Sequence, residues 1–194
     1  GINAEYGRME VARAIKAAHS SCRDFRCYPE RPNKFGVVHV SFRGADEDGY
    51  RRGIYHMRLD LAGYPNQAPH IMMLNESGGY SVDQNICLVG ITNDSSQWTP
   101  FTTLETIVAA IRAYMVPTNR MNDGTAMIRS NQFAVDKFAE ESRKFTCKCG
   151  ADHSQFGVFQ EVKEEVKKQE KQETVKAAAF QRVSFVCDMN DTDL

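Results

Sequence analysis

The chain has 194 residues, of which 42% are hydrophobic and 25% charged, proportions typical of one folded domain with an appendage. Its 24 basic and 25 acidic residues leave a net charge of −1, which argues against a nucleic-acid partner or a membrane-surface role based on bulk charge. The longest apolar run, residues 107–115, contains Arg112 and is too short to span a membrane.

Six cysteines are spread along the chain: Cys22, Cys27, Cys87, Cys147, Cys149 and Cys187. No charged and then apolar leader is visible at the N-terminus. A chain of this length builds enough core to fold without disulfides. We therefore expect free thiols in a reducing, cytoplasmic compartment.

The first elements in chain order are a helix and a set of strands. Residues 5–19 are rich in alanine, and Val11, Ala12 and Ile15 share one face at helical spacing. Period-two alternation then predicts strands within residues 35–44, 53–61 and 71–74, with turn residues between them. This pattern is typical of an antiparallel meander.

Polar residues alternate with apolar ones within the first of these strands. Val38, Val40 and Phe42 lie on one side, and His39 and Ser41 on the other. A loop over residues 75–85 leads from the last strand to the segment ICLVGI at 86–91.

Two helices are predicted in the second half of the chain. The first covers residues 103–115, with a capping box from Thr102 to Glu105 and Pro117 as its stop signal. The second covers residues 130–145, with Ser130 as its cap and a buried side formed by Ala134, Phe138 and Phe145. Helix, strands, loop and helices in this order indicate an α+β fold.

The end of the chain differs in composition from the rest. Residues 160–178 are rich in Lys and Glu, with Glu164 and Lys168 four residues apart. This pattern predicts a helix that is either solvated or bound to a partner. We therefore divide the chain into a domain at 1–150 and a charged helical extension with a tail at 151–194.

Cys87 is the first candidate for chemistry. On local sequence alone, a cysteine between Ile86 and Leu88 is typical of a buried core thiol. The wider order of motifs indicates otherwise: YPNQAP at 64–69, ICL at 86–88, Trp98-x-Pro100 and then an amphipathic helix.

That order resembles the ubiquitin-conjugating enzyme family over about residues 5–150. Trp98 follows Cys87 by eleven residues, a long spacing similar to the tail-anchored subclass of the endoplasmic reticulum. The stretches GIYH at 53–56, MVPT at 115–118, and AEESRKF at 139–145 with the cysteine pair after it also resemble this subclass.

The resemblance implies a four-stranded meander between an N-terminal helix and C-terminal helices, with an active-site loop. It implies that Cys87 carries ubiquitin or a ubiquitin-like protein as a thioester and passes it to an amine or hydroxyl. The implied partners are that carrier protein, an activating enzyme and a RING-type ligase. It places the protein in the cytoplasm, at the cytosolic face of the endoplasmic reticulum if an anchor lies beyond this sequence.

The residues that would assist Cys87 depart from the family pattern. Most members have an Asn eight residues before the cysteine, where this chain has Gly79. In the match to the tail-anchored subclass, Ser77 occupies the position of the Asn, and it is a candidate donor to the oxyanion. Asn75 and Asn85 are further candidates, and Asn85 lies on the same side as Cys87 in an extended segment. Each of the three also fits an ordinary loop or turn residue.

Other candidate positions lie in the loops after the cysteine and near YPNQAP. Asn93 and Asp94 are candidates to support or steer the incoming acceptor, or are a solvated turn. By resemblance, a ligase would contact Asn66, Pro100 and Phe101, although the family often has an apolar residue at the position of Asn66.

Cys147-Lys148-Cys149 with His153 suggests a metal site, but offers three ligands where structural zinc takes four. We therefore predict no metal and no cofactor. Three functions remain open: an active carrier enzyme, a catalytically weak or inactive scaffold subunit of the same fold in a larger assembly, and an unrelated α+β domain.

Overall fold

A computed structural model describes residues 5, 7–13, 25–32, 34–47, 49–92 and 97–156. Residues 7–13 form helix α1, within the predicted range of 5–19. Val11 is buried as predicted and Ala12 is exposed, while Ile15 lies outside the described residues. Arg13, the last residue of α1 that the structure describes, binds Glu10 at 2.7 Å and Glu105 at 2.9 Å.

Four antiparallel strands follow in sequential order: β1 (Phe25–Arg31), β2 (Lys34–Arg43), β3 (Ile54–Asp60) and β4 (His70–Met73). The predicted strands correspond to β2, β3 and β4. One face of the central strands is completely buried and forms the main core, with Val38, Val40, Phe42, Tyr55, Met57 and Leu59 all at 0% exposure. The α+β meander predicted from the alternation is therefore confirmed.

The strand β1 was missed by the sequence analysis. It contains Pro29, which cannot donate to a strand ladder and weakens any strand pattern. Among the described strands β1 pairs only with β2, and its register shifts between Pro29 and Arg31. Proline is tolerated there because β1 is an edge strand. The edge position becomes visible only once the order of the strands in the sheet is known.

Helix α2 (Leu104–Tyr114) packs its predicted apolar stripe into the core through Leu104, Ile107, Val108 and Ile111. The predicted capping box is wrong, since Thr103 is the cap and its hydroxyl accepts from the N–H of Thr106 at 3.2 Å. The backbone carbonyl of the preceding Thr102 accepts a 2.7 Å hydrogen bond from the hydroxyl of Tyr64.

Helix α3 (Gln132–Ser142) is shorter than the predicted range of 130–145. Its buried face is shifted by one residue along the chain from the predicted face. Asn131, rather than Ser130, caps it by accepting from the N–H of Ala134 at 2.9 Å. Its buried residues are Val135, Ala139 and Ser142, while Ala134, Phe138 and Phe145 are only half-buried. Ser142 holds the buried face of α3 against β3, because its hydroxyl accepts from the N–H of Ile54 at 2.9 Å.

The segment after α3 continues to Phe156 and packs onto the domain. His153 and Phe156 are both buried, so the packed unit extends past the predicted boundary at residue 150. The predicted helix at 160–178, Cys22 and Cys187 lie outside the described residues. Within the part of the chain that the structure describes, no helix combines the length and apolar character needed to cross a membrane.

Candidate active site around Cys87

Cys87 lies on an extended segment between β4 and a tight turn. Its thiol is exposed, while the flanking Ile86 and Leu88 are 0% and 8% exposed. The backbone N–H of Ile86 donates to the carbonyl of Ile71 in β4 at 2.8 Å. The segment is thus fixed to the sheet by its apolar neighbours and presents the sulfur outward, which is not the environment of a core thiol.

Thr92 fixes the backbone on both sides of Cys87. Its hydroxyl donates to the carbonyl of Ile86 at 2.6 Å and accepts from the N–H of Leu88 at 2.8 Å. Thr92 is completely buried. No sequence signal pointed to it, because the two bonds arise only when the turn at 88–92 brings the hydroxyl back.

We expect Thr92→Val to lower the free energy of unfolding by about 1–3 kcal/mol, because a buried carbonyl and N–H lose their partner. Thr92→Ser keeps the hydroxyl and is expected to cost less. Urea unfolding of both variants measures the difference. Equal losses in the two variants would show that the methyl group, rather than the hydroxyl, stabilises the turn.

The loop at residues 120–129 packs directly against Cys87. The N–H of Cys87 donates to the carbonyl of Thr125 at 3.1 Å. Gly124 lies so close that an added Cβ would overlap with the carbonyl oxygen of Cys87 and lie 3.6 Å from its Cβ. The loop at 120–129 therefore forms one wall of the candidate site.

Arg120 organises that loop from inside the protein. Its side chain is 0% exposed, and its guanidinium donates to the carbonyls of Tyr114, Met115, Gly79 and Ile128 at 2.6–2.9 Å. The same guanidinium binds Asp123 at 3.3 Å.

Asp123 contributes a carboxylate one residue before Gly124. Hydrogen bonds from Arg129 and then Arg120 lower the pKa of Asp123 below its ordinary value. Its side chain is ionised at neutral pH and lies on the loop that borders Cys87. Neither Arg120 nor Asp123 was singled out from the sequence, since a lone Arg or Asp in a loop has no diagnostic pattern.

Two of the predicted donors are engaged by the backbone. The hydroxyl of Ser77, 0% exposed, accepts from the N–H groups of Gly79 and Tyr80, each at 3.1 Å. The side chain of Asn75 accepts from the N–H of His56 at 2.8 Å and donates to the carbonyl of Ile54 at 3.1 Å. Both residues shape the loop before Cys87.

Position 79, where most family members have the Asn, has no room for a side chain. A Cβ on Gly79 would overlap with the carbonyl oxygen of Met115 and approach its Cγ within 2.8 Å. The packing of this loop against Met115 therefore accommodates only glycine at position 79.

Asn85 and Cys87 are both exposed, and the buried Ile86 separates them. This alternation places their side chains on the same side of the segment. The backbone of Asn85 bridges to Met72 of β4, which anchors this end. The candidates Asn93 and Asp94 lie outside the described residues.

The residues predicted for ligase contact lie on two loops that are bound to each other. The indole N–H of Trp98 donates to the carbonyl of Pro65 at 2.7 Å, and its ring meets that of Tyr64 edge-on at 6.1 Å. Asn66 follows Pro65 and is exposed; Pro100 and Phe101 follow Trp98 and are also exposed, Phe101 by 82%.

Comparison with known proteins gives consistent results. The family model of the ubiquitin-conjugating enzyme matches residues 8–146. Ubiquitin-conjugating enzyme E2 J1 of Mus musculus and of Homo sapiens are each 30% identical over 118 residues, 58% of this chain and 36% of the relative. Ubiquitin-conjugating enzyme E2 32 of Arabidopsis thaliana is 32% identical over 93 residues, 47% of this chain and 30% of the relative.

The chain thus spans about a third of the length of these curated relatives. Among solved structures, human ubiquitin-conjugating enzyme E2 G1 is similar with a TM-score of 0.47 and 18% identity, over 57% of this chain and 91% of that chain. Because the family model covers well over half of the chain, including the sheet, Cys87 and both later helices, the chain belongs to the ubiquitin-conjugating enzyme family.

Proposed function

We propose that this chain accepts ubiquitin, or a ubiquitin-like protein, as a thioester on Cys87 and transfers it to an acceptor with the help of a ligase. The observation that carries this proposal is the exposed thiol of Cys87 on a segment whose neighbours are buried and whose backbone is fixed by Thr92. A nucleophile held in this way is accessible to a large carrier protein and loses little freedom on reaction.

The proposed reaction has two acyl transfers. The thiolate of Cys87 attacks the thioester carbonyl that joins the carrier protein to its activating enzyme, and the thiolate of the activating enzyme leaves. An amine or hydroxyl of the target then attacks the new thioester and releases its proton to solvent, and the thiolate of Cys87 leaves. Both steps pass through an oxyanion that a hydrogen-bond donor stabilises.

Asn85 is the candidate donor that we favour within the described residues. It is exposed on the same side as Cys87, whereas the polar atoms of Ser77 and Asn75 bind the backbone. Asn93 and Asp94 remain proposed contributors from the loop that follows.

We assign Asp123 to fixing the loop beside Cys87 rather than to guiding the acceptor, because Arg120 and Arg129 both bind its carboxylate and together outweigh its charge.

For the ligase, we propose the surface formed by Asn66, Pro100 and Phe101. The bond between Trp98 and Pro65 holds the two loops together, so these exposed side chains belong to one connected region. Phe101 offers the apolar group that an interface requires at its centre.

A catalytically weak scaffold is the second candidate function. It is favoured by Gly79, where a side chain does not fit, and by the engagement of Ser77 and Asn75 with the backbone. In such a protein the fold would serve an assembly, and Cys87 would react slowly or not at all.

A charging assay tests the proposal. The chain is incubated with activating enzyme, ATP and ubiquitin, and the products are separated with and without reductant. We expect an adduct heavier by one ubiquitin that reductant removes. Absence of an adduct, with ubiquitin and then with ubiquitin-like proteins and their own activating enzymes, would contradict the carrier function and favour the scaffold.

A further inference from the structure

The face of the sheet opposite the main core carries a second group of reactive side chains. Ser41 of β2 lies directly opposite His56 of β3 in the antiparallel register, and His39 lies two residues before Ser41 on the same face. The segment after α3 covers this face with a short turn closed by a bridge between Thr146 and Asp152. That turn carries Cys147 and Cys149.

Four potential ligand atoms converge at this point. Nδ1 of His39 lies 3.2 Å from Nε2 of His56. The sulfur of Cys147 lies 3.5 Å from Nδ1 of His39, and the sulfur of Cys149 lies 3.4 Å from Nε2 of His56. All four atoms lie within 4.8 Å of one another, and both histidines are buried.

The three distances of 3.2, 3.5 and 3.4 Å are close to the edges of a tetrahedral zinc site, and the other pairs of ligand atoms lie within 4.8 Å. With Zn–N distances of about 2.0–2.1 Å and Zn–S distances of about 2.3 Å, neighbouring ligand atoms are roughly 3.3–3.8 Å apart. Two thiolates with two imidazoles are also the donor set that selects Zn²⁺ over hard cations such as Mg²⁺ or Ca²⁺.

The hydrogen bond between Nε2 of His39 and Glu30 orients the ring so that Nδ1 faces the cluster. Nε2 of His39 lies 3.1 Å from Oε1 of Glu30, a carboxylate oxygen that also accepts from Arg58 at 2.9 Å. An ionised carboxylate only accepts hydrogen bonds, so Nε2 of His39 carries the hydrogen. In the neutral imidazole, Nδ1 therefore presents its lone pair to the cluster.

A chain of buried hydrogen bonds also determines which ring nitrogen of His56 carries the hydrogen. Nδ1 of His153 donates to the carbonyl of Ser142 at 2.7 Å, which leaves Nε2 of this buried ring to accept from the hydroxyl of Ser41 at 2.8 Å. The oxygen of Ser41 then accepts from Nδ1 of His56 at 2.7 Å. Nε2 of His56 is thereby left with a lone pair that faces His39.

We propose that His39, His56, Cys147 and Cys149 bind one structural Zn²⁺, which ties the segment after α3 to the sheet. Two lone pairs 3.2 Å apart repel each other, and a cation between them and the two sulfurs removes the repulsion. Glu30 and Ser41 serve as outer partners that orient the two rings, as is usual at zinc sites. The two thiols release their protons to solvent when the metal binds.

The ligand set suggested by the sequence motif and the cluster in the structure share only the two cysteines. His153, the third member of the sequence motif, is used in the chain to Ser41 and Ser142 and is not a ligand. The missing ligands come from strands more than ninety residues away in the chain: His39 lies 108 residues from Cys147, and His56 lies 93 from Cys149. The zinc proposal therefore replaces the prediction of no metal and is independent of the proposed reaction at Cys87.

The proposal is tested by metal analysis of the untagged 194-residue chain, purified with its thiols reduced. We expect elemental mass spectrometry to find about one zinc ion per chain. Removing zinc with a chelator should lower Tm by at least about 5 °C, because the metal binds only the folded state. Co²⁺ added to the metal-free protein should give the visible absorption of a tetrahedral thiolate site, saturating at one equivalent.

The variants Cys149→Ser and His56→Ala should lose the zinc and the cobalt spectrum, whereas Cys87→Ser should keep both. Titration of the wild-type chain with Co²⁺ keeps the test decisive if a ligand variant fails to fold. Wild-type protein without zinc that also fails to bind Co²⁺ would overturn the proposal and leave a cluster of thiols hydrogen-bonded to imidazoles. Full zinc content in a soluble Cys149→Ser variant would overturn it as well.

Discussion

Replacing Cys87 by alanine is expected to abolish the ubiquitin adduct, and replacing it by serine is expected to give at most a slowly formed adduct that reductant does not remove. The physical reason is the nucleophile: a thiol is partly ionised near neutral pH and highly nucleophilic, while a serine hydroxyl is not ionised. An oxygen ester also resists the thiol exchange that cleaves a thioester. We expect the rate of adduct formation to fall by at least about 100-fold in Cys87→Ser.

The matched control for this experiment is Cys27→Ala. Cys27 is 1% exposed in β1, and burial raises the pKa of its thiol to about 12, so it is neither accessible nor ionised. This variant should charge at the wild-type rate. A reductant-labile adduct that survives in Cys87→Ala would place the thioester on another cysteine and refute the assignment.

The second large effect is expected at Arg120. Replacing it by methionine, which has a similar length and no charge, should lower the free energy of unfolding by about 3–5 kcal/mol. Four carbonyl groups, those of Gly79 and Met115 in buried hydrogen bonds and two more in partly buried ones, lose their donor, at about 1 kcal/mol each. Asp123 also loses one of its two arginine partners. Arg120→Lys should recover little of the loss, since one ammonium does not reproduce the planar fork.

Urea unfolding measures this loss, with Arg129→Met as the control. Arg129 also binds Asp123, but its side chain is 57% exposed, so we expect no measurable change in the unfolding midpoint. The result would count against our interpretation if Arg120→Met and Arg129→Met had similar midpoints. Because Arg120 holds the loop at 120–129 against Cys87, charging by Arg120→Met should also be slower under conditions in which it remains folded.

The elements predicted correctly are those whose side chains alternate or recur at a fixed period. Val38, Val40 and Phe42 indicate β2 because each lies on the core side of the same strand, and the stripe from Leu104 to Ile111 indicates α2 in the same way. Errors occurred at the boundaries, where neighbouring residues offer equivalent caps. Thr103 and Asn131 cap the helices in place of Thr102 and Ser130.

The sequence by itself therefore determined the α+β class, the order of most elements and, through the spacing of Cys87 and Trp98, the family. Only the tertiary structure decided that Pro29 lies in an edge strand, that Thr92 fixes Cys87 from both sides, and that position 79 has no room for a side chain. It also brought His39 and His56 to Cys147 and Cys149. Periodicity and motif spacing depend on near neighbours in the chain, whereas these contacts join residues that only folding brings together.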